Sequence, residues 1–469
     1  MGIMSSPQAL AAAHLAGDPL AKAWLGEPWT GIRSTADHAR RMLVAGVWDR
    51  VALARLHPLL KDPASVVVVT GQQPAVGGGP LYSLVKLAHA IALAHRLTEE
   101  DIPTVAWFWC ASEDHDLGEA NHADLLLRDG SIARVTTDLG PGKSALRWRA
   151  AALWWDLLVA RCQSQFGQGL GSRWLLERAP NGDEGMGAWL CRVIRDLCAG
   201  HPVVACESHV LRPLWAARLS AACAAWPAAE LAIRQQDLVR HGYPDPFGPL
   251  PRAPLFHDTA AGRFTVDQPS DLPPETLSPG AALRPILQQL ALPAAAAILG
   301  PGELAYHAAI GPAYAALGAQ PPQLIPRCSL TLLPSWAARS AQRLGISPQD
   351  VVDGGPMRLQ SPSSNRLDTL TQAINQLGDG SDRRIASAQV RLRRELDRLA
   401  HSLERGARIE AGLPAPGAIS GLLRPRGKRQ ERTLSLFQAI WEHGPGVMAE
   451  LIHAASEMAP GQHRLVDLA

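Results

Sequence analysis

The sequence predicts an α/β protein built on a parallel β-sheet, followed by a helical arm. Three observations carry that expectation. Five short apolar runs, SVVVVTG (65–71), PTVAWFWC (103–110), PVVAC (202–206), AAAAILG (294–300) and PQLIPR (322–327), are each bounded by turn residues. Several of them lead into amphipathic helical patterns, and continuous apolar strands alternating with helices suit a sheet covered on both faces. After about residue 340 the apolar runs give way to helical stretches rich in charge.

Taken in order, residues 1–60 read as an N-terminal helical segment and 61–340 as the core. After VVVVTG, the residues Leu81, Leu84, Val85, Ala88, Ile91 and Ala92 repeat at the spacing of a one-faced helix, and Pro80 suits its first turn. The stretch 130–200 is rich in tryptophan and arginine and too long for a plain crossover, so part of it reads as an insertion. Residues 241–290 are Pro/Gly-rich and read as a second insertion, with LFHDTAAGRFTV (255–266) as a β-hairpin. AAAAILG leads into the helix GELAYHAAIGPAYAALG, which the sequence interrupts at Gly311-Pro312.

Residues 341–415 read as a helical hairpin. NRLDTLTQAINQL is helical, GDGS breaks it, and a second helix runs from about 382 to 410. In that helix Ile385, Ala388, Leu392, Leu396, Leu399 and Leu403 step by three and four, as a short coiled-coil seam does. Residues 416–469 form a C-terminal helical segment expected to pack on the core.

Composition narrows the function classes. With 469 residues, 47% hydrophobic and 19% charged, the chain can bury a large core. A net charge of +2 provides no global field for nucleic acid or an anionic membrane. No run of about 18 apolar residues marks a membrane span. The seven cysteines are scattered without CxxC or Cys/His ligand spacing, so neither a disulfide framework nor a metal cage is expected. That usage fits a reducing cytoplasm.

In an open parallel sheet, ligands bind beyond the carboxyl ends of the strands. Strand one is followed by TGQQPAVGGGPLYSLVK (70–86), where Gly77, Gly78 and Gly79 form either an anion-cradling loop or a tight turn. Gln72 and Gln73 precede them, and Tyr82 and Lys86 share a helix face. Strand two is followed by CASEDHDLGEANH (110–122), with Glu113, Asp114, His115 and Asp116 in a row. Those acids suit an amine that must lose its proton, a divalent metal held with His122, or a helix N-terminus. A third edge turn, PGELAY, brings Glu303 and Tyr306, and the last run ends at Arg327. Between 383 and 432 thirteen basic residues face five acidic ones, which suits an anionic ligand or a solvated basic face.

TGQQPAVGGGPLYSLVK, FWCASEDHDLGEANH, LGPGELAYHAAIGPAYAALG, IPRCSLTLL and RPRGKRQERTLSLFQ together resemble, in the same order, the bacillithiol biosynthesis cysteine-adding enzymes, the BshC family. The resemblance implies a Rossmann-like core related to HIGH-type nucleotidyltransferases, an inserted connective domain and a C-terminal coiled-coil arm used for homodimerisation. It implies a ligase that joins the carboxyl of cysteine to the amine of glucosaminyl-malate, the last step of bacillithiol synthesis.

On that resemblance, Asp114, His115 and Asp116 are the catalytic candidates. Gln72, Gln73, Gly78, Gly79, Tyr82, Glu113, Asn121, Glu303, Tyr306 and Arg327 are the substrate-binding candidates, with Arg327 facing a malate carboxylate. An adenine nucleotide (ATP or ADP) is the implied cofactor, assigned to Arg424, Arg426 and Lys428. No metal, nucleic acid or membrane partner is implied. The sequence holds no HIGH tetrapeptide and no KMSKS-like loop, which sets it apart from the wider superfamily. Two rival readings stand beside this one: a metal-dependent hydrolase using the EDHD acids, and a non-catalytic nucleotide-binding dimeric adaptor.

Overall fold

The computed structural model describes residues 6–31, 57–62, 64–216, 219–248, 255–266, 272–292, 294–354, 365–376, 383–410 and 412–468. Its strands, in chain order, include β1 (Val66–Gln72), β2 (Thr104–Cys110), β3 (His122–Leu126), β4 (Ile132–Thr136), β5 (Val203–Glu207), β6 (Leu255–Thr259), β7 (Gly262–Thr265), β8 (Leu277–Pro279), β9 (Ala296–Leu299) and β10 (Gln323–Pro326). All five apolar runs of the sequence become strands of one five-stranded sheet of order β10-β9-β1-β2-β5. Every pairing in it is parallel.

β2 is buried along its whole length, and β1 is buried through Thr70. A strand covered on both faces has no polar face to alternate, which is why VVVV and TVAWFWC read as continuous runs. The register aligns Gln72 with Cys110, and Cys110 with Glu207, so these three residues share one carboxyl edge. β1 lies between β9 and β2, where the strand order reverses direction. That is the point at which an open sheet leaves a crevice.

The chain divides into two compact units. The first comprises 1–125, 134–330 and 434–464 and contains the sheet. The helix Tyr82–Glu99 is buried on nearly all sides, packed between β1, β2 and the helix Val447–Ser456. It starts two residues later than Pro80, which instead bridges to Ser435 while the Leu81 N–H donates to Leu434 O at 2.7 Å. The tryptophan-rich region forms helices Ala152–Phe166, Ser172–Leu176 and Met186–Leu197 ahead of β5. Trp154 and Trp189 meet edge to face with ring centroids 4.9 Å apart, and Phe437 packs edge-on to Trp155.

The 255–266 hairpin is present as β6 and β7, and β8 joins it as a third antiparallel strand. One expectation needs correction. The helix Pro301–Ala316 runs unbroken through Pro312. A proline there withdraws the N–H that the Ala308 carbonyl needs. Arg234 supplies the replacement, its Nη1 donating to Ala308 O at 3.2 Å. A side chain from elsewhere in the chain therefore mends the gap that the sequence reads as a stop.

The second unit comprises 126–133, 331–433 and 465–469. Within it, helices Asn365–Asn375 and Arg383–Glu410 pack together, with Gln389 Nε2 donating to Ile374 O at 3.1 Å. The turn GDGS expected between them lies outside the described residues. Ile385, Leu392 and Leu399 of the expected seam are exposed.

Candidate active site

Two clusters of charged side chains occupy the carboxyl edge of the sheet. The first is built around Lys86. From the helix after β1, its Nζ donates to Gln72 Oε1 at 3.0 Å, to Glu303 Oε1 and Oε2 at 3.0 and 3.1 Å, and to Gly71 O. Gln72 in turn donates through Nε2 to the Tyr82 hydroxyl at 3.0 Å. Glu303 also closes the N-terminus of its own helix by accepting the Gly300 N–H at 2.7 Å. Burial lowers the Lys86 pKa, and Glu303 opposes that shift.

Arg327, which follows β10, places its guanidinium carbon 5.6 Å from the centre of the Tyr82 ring. The strand-end residues Gln72, Glu303 and Arg327, with Tyr82, are therefore gathered at the crevice between β1 and β9. Tyr306 stacks on Phe247 at 4.8 Å, and Gln73 donates to Glu119 Oε2 at 2.9 Å.

The glycine turn of TGQQPAVGGG is buried. Gly77, Gly78 and Gly79 have φ of 66°, 79° and 92°. A Cβ on Gly77 would lie 2.9 Å from Leu158 Cδ2, and one on Gly78 3.0 Å from Leu436 Cδ2. Gly77 and Gly78 thus close a tight turn beneath packed side chains, where left-handed backbone and lack of space both require glycine.

The second cluster holds the EDHD residues. Asp114 Oδ2 accepts from Arg284 Nη1 at 2.8 Å, and Oδ1 accepts the backbone N–H groups of His115 and Asp116 at 2.7 and 3.2 Å. Although burial alone would raise its pKa, Arg284, the backbone donor and Arg263 together hold the Asp114 carboxyl well below the usual range. Arg263 Nη1 donates to His115 Nδ1 at 2.9 Å, which places the imidazole proton on Nε2 in the neutral ring. Burial and then Arg263 lower the His115 pKa. Asp116 caps the short helix Leu117–Ala120, accepting the Glu119 N–H at 3.2 Å. Asn121 ends that helix, and its Oδ1 lies 3.1 Å from His122 Nδ1.

Glu113 is fully buried and accepts from Arg212 Nε at 2.6 Å. Arg212 also donates to Asp258 Oδ2 at 2.5 Å, and Arg147 reaches the same oxygen at 2.9 Å. Cationic and acidic side chains therefore alternate from Arg147 through Asp258 and Arg212 to Glu113, so that no charge is buried unpaired.

The sequence supplies no motif for these arginines. Arg147, Arg212, Arg263 and Arg284 all come from 140–290, a region with no pattern to mark them. Glu207 ends β5, as Gln72 ends β1. Lys86 shares a helix face with Tyr82, and it is buried rather than solvated. Arg426 and Lys428 are exposed in the second unit, where Arg424 Nε donates to Gly427 O at 3.0 Å.

A model of "Bacillithiol biosynthesis BshC, N-terminal Rossmann-like domain" matches residues 50–173 and 265–328, which include β1, β2, the EDHD stretch, β9 and β10, and with them Glu303 and Arg327. Over these stretches the chain is similar to the BshC family. A relative from Solibacter usitatus is 28% identical, covering 87% of this chain and 85% of its own length. One from Koribacter versatilis is 28% identical over 88% and 86%. One from Geobacillus thermodenitrificans is 26% identical over 87% and 85%. All three carry the name "Putative cysteine ligase BshC". The BshC relatives thus align with both of this chain's units rather than with the sheet alone.

Proposed function

We propose that the chain is a cysteine ligase that forms an amide between the carboxyl of cysteine and the amine of glucosaminyl-malate, completing bacillithiol. The observation that carries the reading is the convergence of Gln72, Tyr82, Glu303 and Arg327 on one crevice, beside the EDHD cluster, in a chain whose BshC relatives are named for cysteine ligation.

In this reading Arg327 receives a carboxylate of the malate group, and Gln72 and Tyr82 orient polar substrate atoms at the crevice mouth. Asp114, kept ionised by Arg284, acts as a fixed negative charge beside the reacting amine. His115 offers an Nε2–H donor rather than a free base while Arg263 occupies Nδ1. Asp116 is the exposed carboxylate of the three and the one available to take a proton from solvent-facing amine. An adenine nucleotide is assigned to Arg424, Arg426 and Lys428, and a homodimer to the arm over 341–415.

The test is genetic and chemical. The chain is expressed in a bacillithiol-producing bacterium lacking its own cysteine-adding enzyme. Restored bacillithiol with consumption of accumulated glucosaminyl-malate is the expected result. Continued accumulation with no thiol formed would overturn the reading.

A further inference from the structure

A group of buried polar atoms at the β2–β5 edge lacks well-formed hydrogen bonds among the described residues, the Ser112 and Glu207 side chains interacting with each other only at long range. Ser112 Oγ and Glu113 Oε2 follow β2, while Glu207 Oε1, Ser208 Oγ and His209 Nδ1 end or follow β5. Ser112, Glu113 and Ser208 are fully buried, and the Glu207 side chain is only 12% exposed. Buried polar atoms of this kind are ordinarily hydrogen-bonded, so five at one strand-pair end require a reason.

Glu207, His209 and Ser112 lie close together, and Glu113 and Ser208 are their chain neighbours. Cys110 pairs in register with Glu207, which fixes the ends of the two strands side by side. His209 Nδ1 is 3.9 Å from Glu207 Oε1. A Cβ on Gly187 would overlap Glu207 Oε1 and fall 2.7 Å from Ser112 Cβ, so the bare glycine is what seats the carboxylate against the serine.

The chemistry of the group is that of an acceptor. Burial raises the Glu207 pKa while Ser112 and Arg147 favour its ionised, accepting form, and burial brings His209 down to about 4, leaving the imidazole neutral. Nearby Glu113 and Asp258 carry negative charge against Arg147 and Arg212, and Glu207 tips the balance to negative when ionised. A ligand that satisfies two carboxylate oxygens and two hydroxyls brings several N–H donors and one positive charge.

We propose that the β2–β5 edge, through Glu207 with Ser112 and Ser208, binds the primary ammonium group of a substrate. The assignment rests on the ligase reading, in which both substrates carry such a group: the amino acid through its α-amine and the amino sugar through its ring amine. For the α-amine of cysteine, it separates ammonium binding from the EDHD cluster beside the reacting amine, where Asp114 already has its cation in Arg284.

Titration calorimetry on the full chain tests this with two ligand pairs, L-cysteine against 3-mercaptopropionate and glucosaminyl-malate against its N-acetylated form. For whichever substrate uses the pocket, loss of the amine is expected to weaken binding by about tenfold or more. Glu207→Gln is expected to shrink that discrimination to about threefold or less while leaving the other pair unchanged. If Glu207→Gln does not fold, Ser208→Ala, which removes one unpartnered oxygen, is expected to reduce the same ratio and stands in for it. A folded variant that keeps the wild-type discrimination for both pairs would overturn the proposal, as would a wild type that favours neither amine. Failure of the ligase reading is seen separately, as absence of amide product, whereas these ratios are read without turnover.

Discussion

Lys86 and Glu303 come from different helices, one after β1 and one after β9, and their side chains meet at 3.0 Å where the strand order reverses. The lysine is buried, and its other donors go to Gln72 and Gly71, so one ammonium ties both walls of the crevice together. Removing it takes the ammonium donor from Glu303, Gln72 and the Gly71 carbonyl, leaving Glu303 with the Gly300 N–H. Lys86→Met is therefore expected to lower stability by about 3 kcal/mol and to abolish amide formation. Thermal unfolding and product assay check the two effects, and a variant with wild-type stability would show that the pair contributes little.

Asp114 and Arg284 set a pH dependence. The Asp114 carboxyl has its pKa lowered in the folded protein, so its contribution is present above the ordinary carboxylate pKa and is lost as pH falls through the folded value. Asp114→Asn is expected to cost about 2 kcal/mol at neutral pH, with the gap to wild type narrowing under strong acid. Urea unfolding of both proteins across that range measures it. A gap independent of pH would mean the carboxylate charge is not what stabilises the site.

His89 provides a second titration with its own window. It is fully enclosed, accepts the Cys328 N–H through Nδ1 at 3.2 Å, and burial brings its pKa down to about 4. The neutral ring stabilises the fold above the ordinary imidazole value, and that stability declines as pH drops from there through about 4. His89→Gln is expected to flatten the decline. Melting temperatures between neutral and acidic buffer report whether it does.

Asp116 separates a structural from a chemical role. As a cap on a four-residue helix, Asp116→Asn keeps an acceptor for the Glu119 N–H and is expected to leave stability within about 0.5 kcal/mol of wild type. If it takes a proton during amide formation, the same substitution lowers kcat by about a hundredfold with KM little changed. Steady-state kinetics distinguish the two.

Much of the sheet was legible because its strands announce themselves. Val66–Gln72 and Thr104–Cys110 are apolar runs ended by polar turns, and burial on both faces is what writes such runs into a sequence. The residues Gln72, Tyr82, Glu303 and Arg327 were legible for the same reason: they sit at a strand's carboxyl end or in the turn and first helical turn that follow it. Arg212, Arg263 and Arg284 were not, because each is paired with a carboxylate or imidazole far away in the chain, and nothing local distinguishes a buried arginine from a solvated one. Pro312 misled in the opposite direction. Its local meaning is a break, and only Arg234 supplies the donor that cancels it.

That repair binds two distant positions into one inheritance. A chain that kept Pro312 but lost Arg234 would leave the Ala308 carbonyl bare inside a packed helix layer, and one that replaced Pro312 with alanine would make the arginine's donor redundant. Across BshC sequences the two sites should therefore drift together, with arginine at 234 following proline at 312.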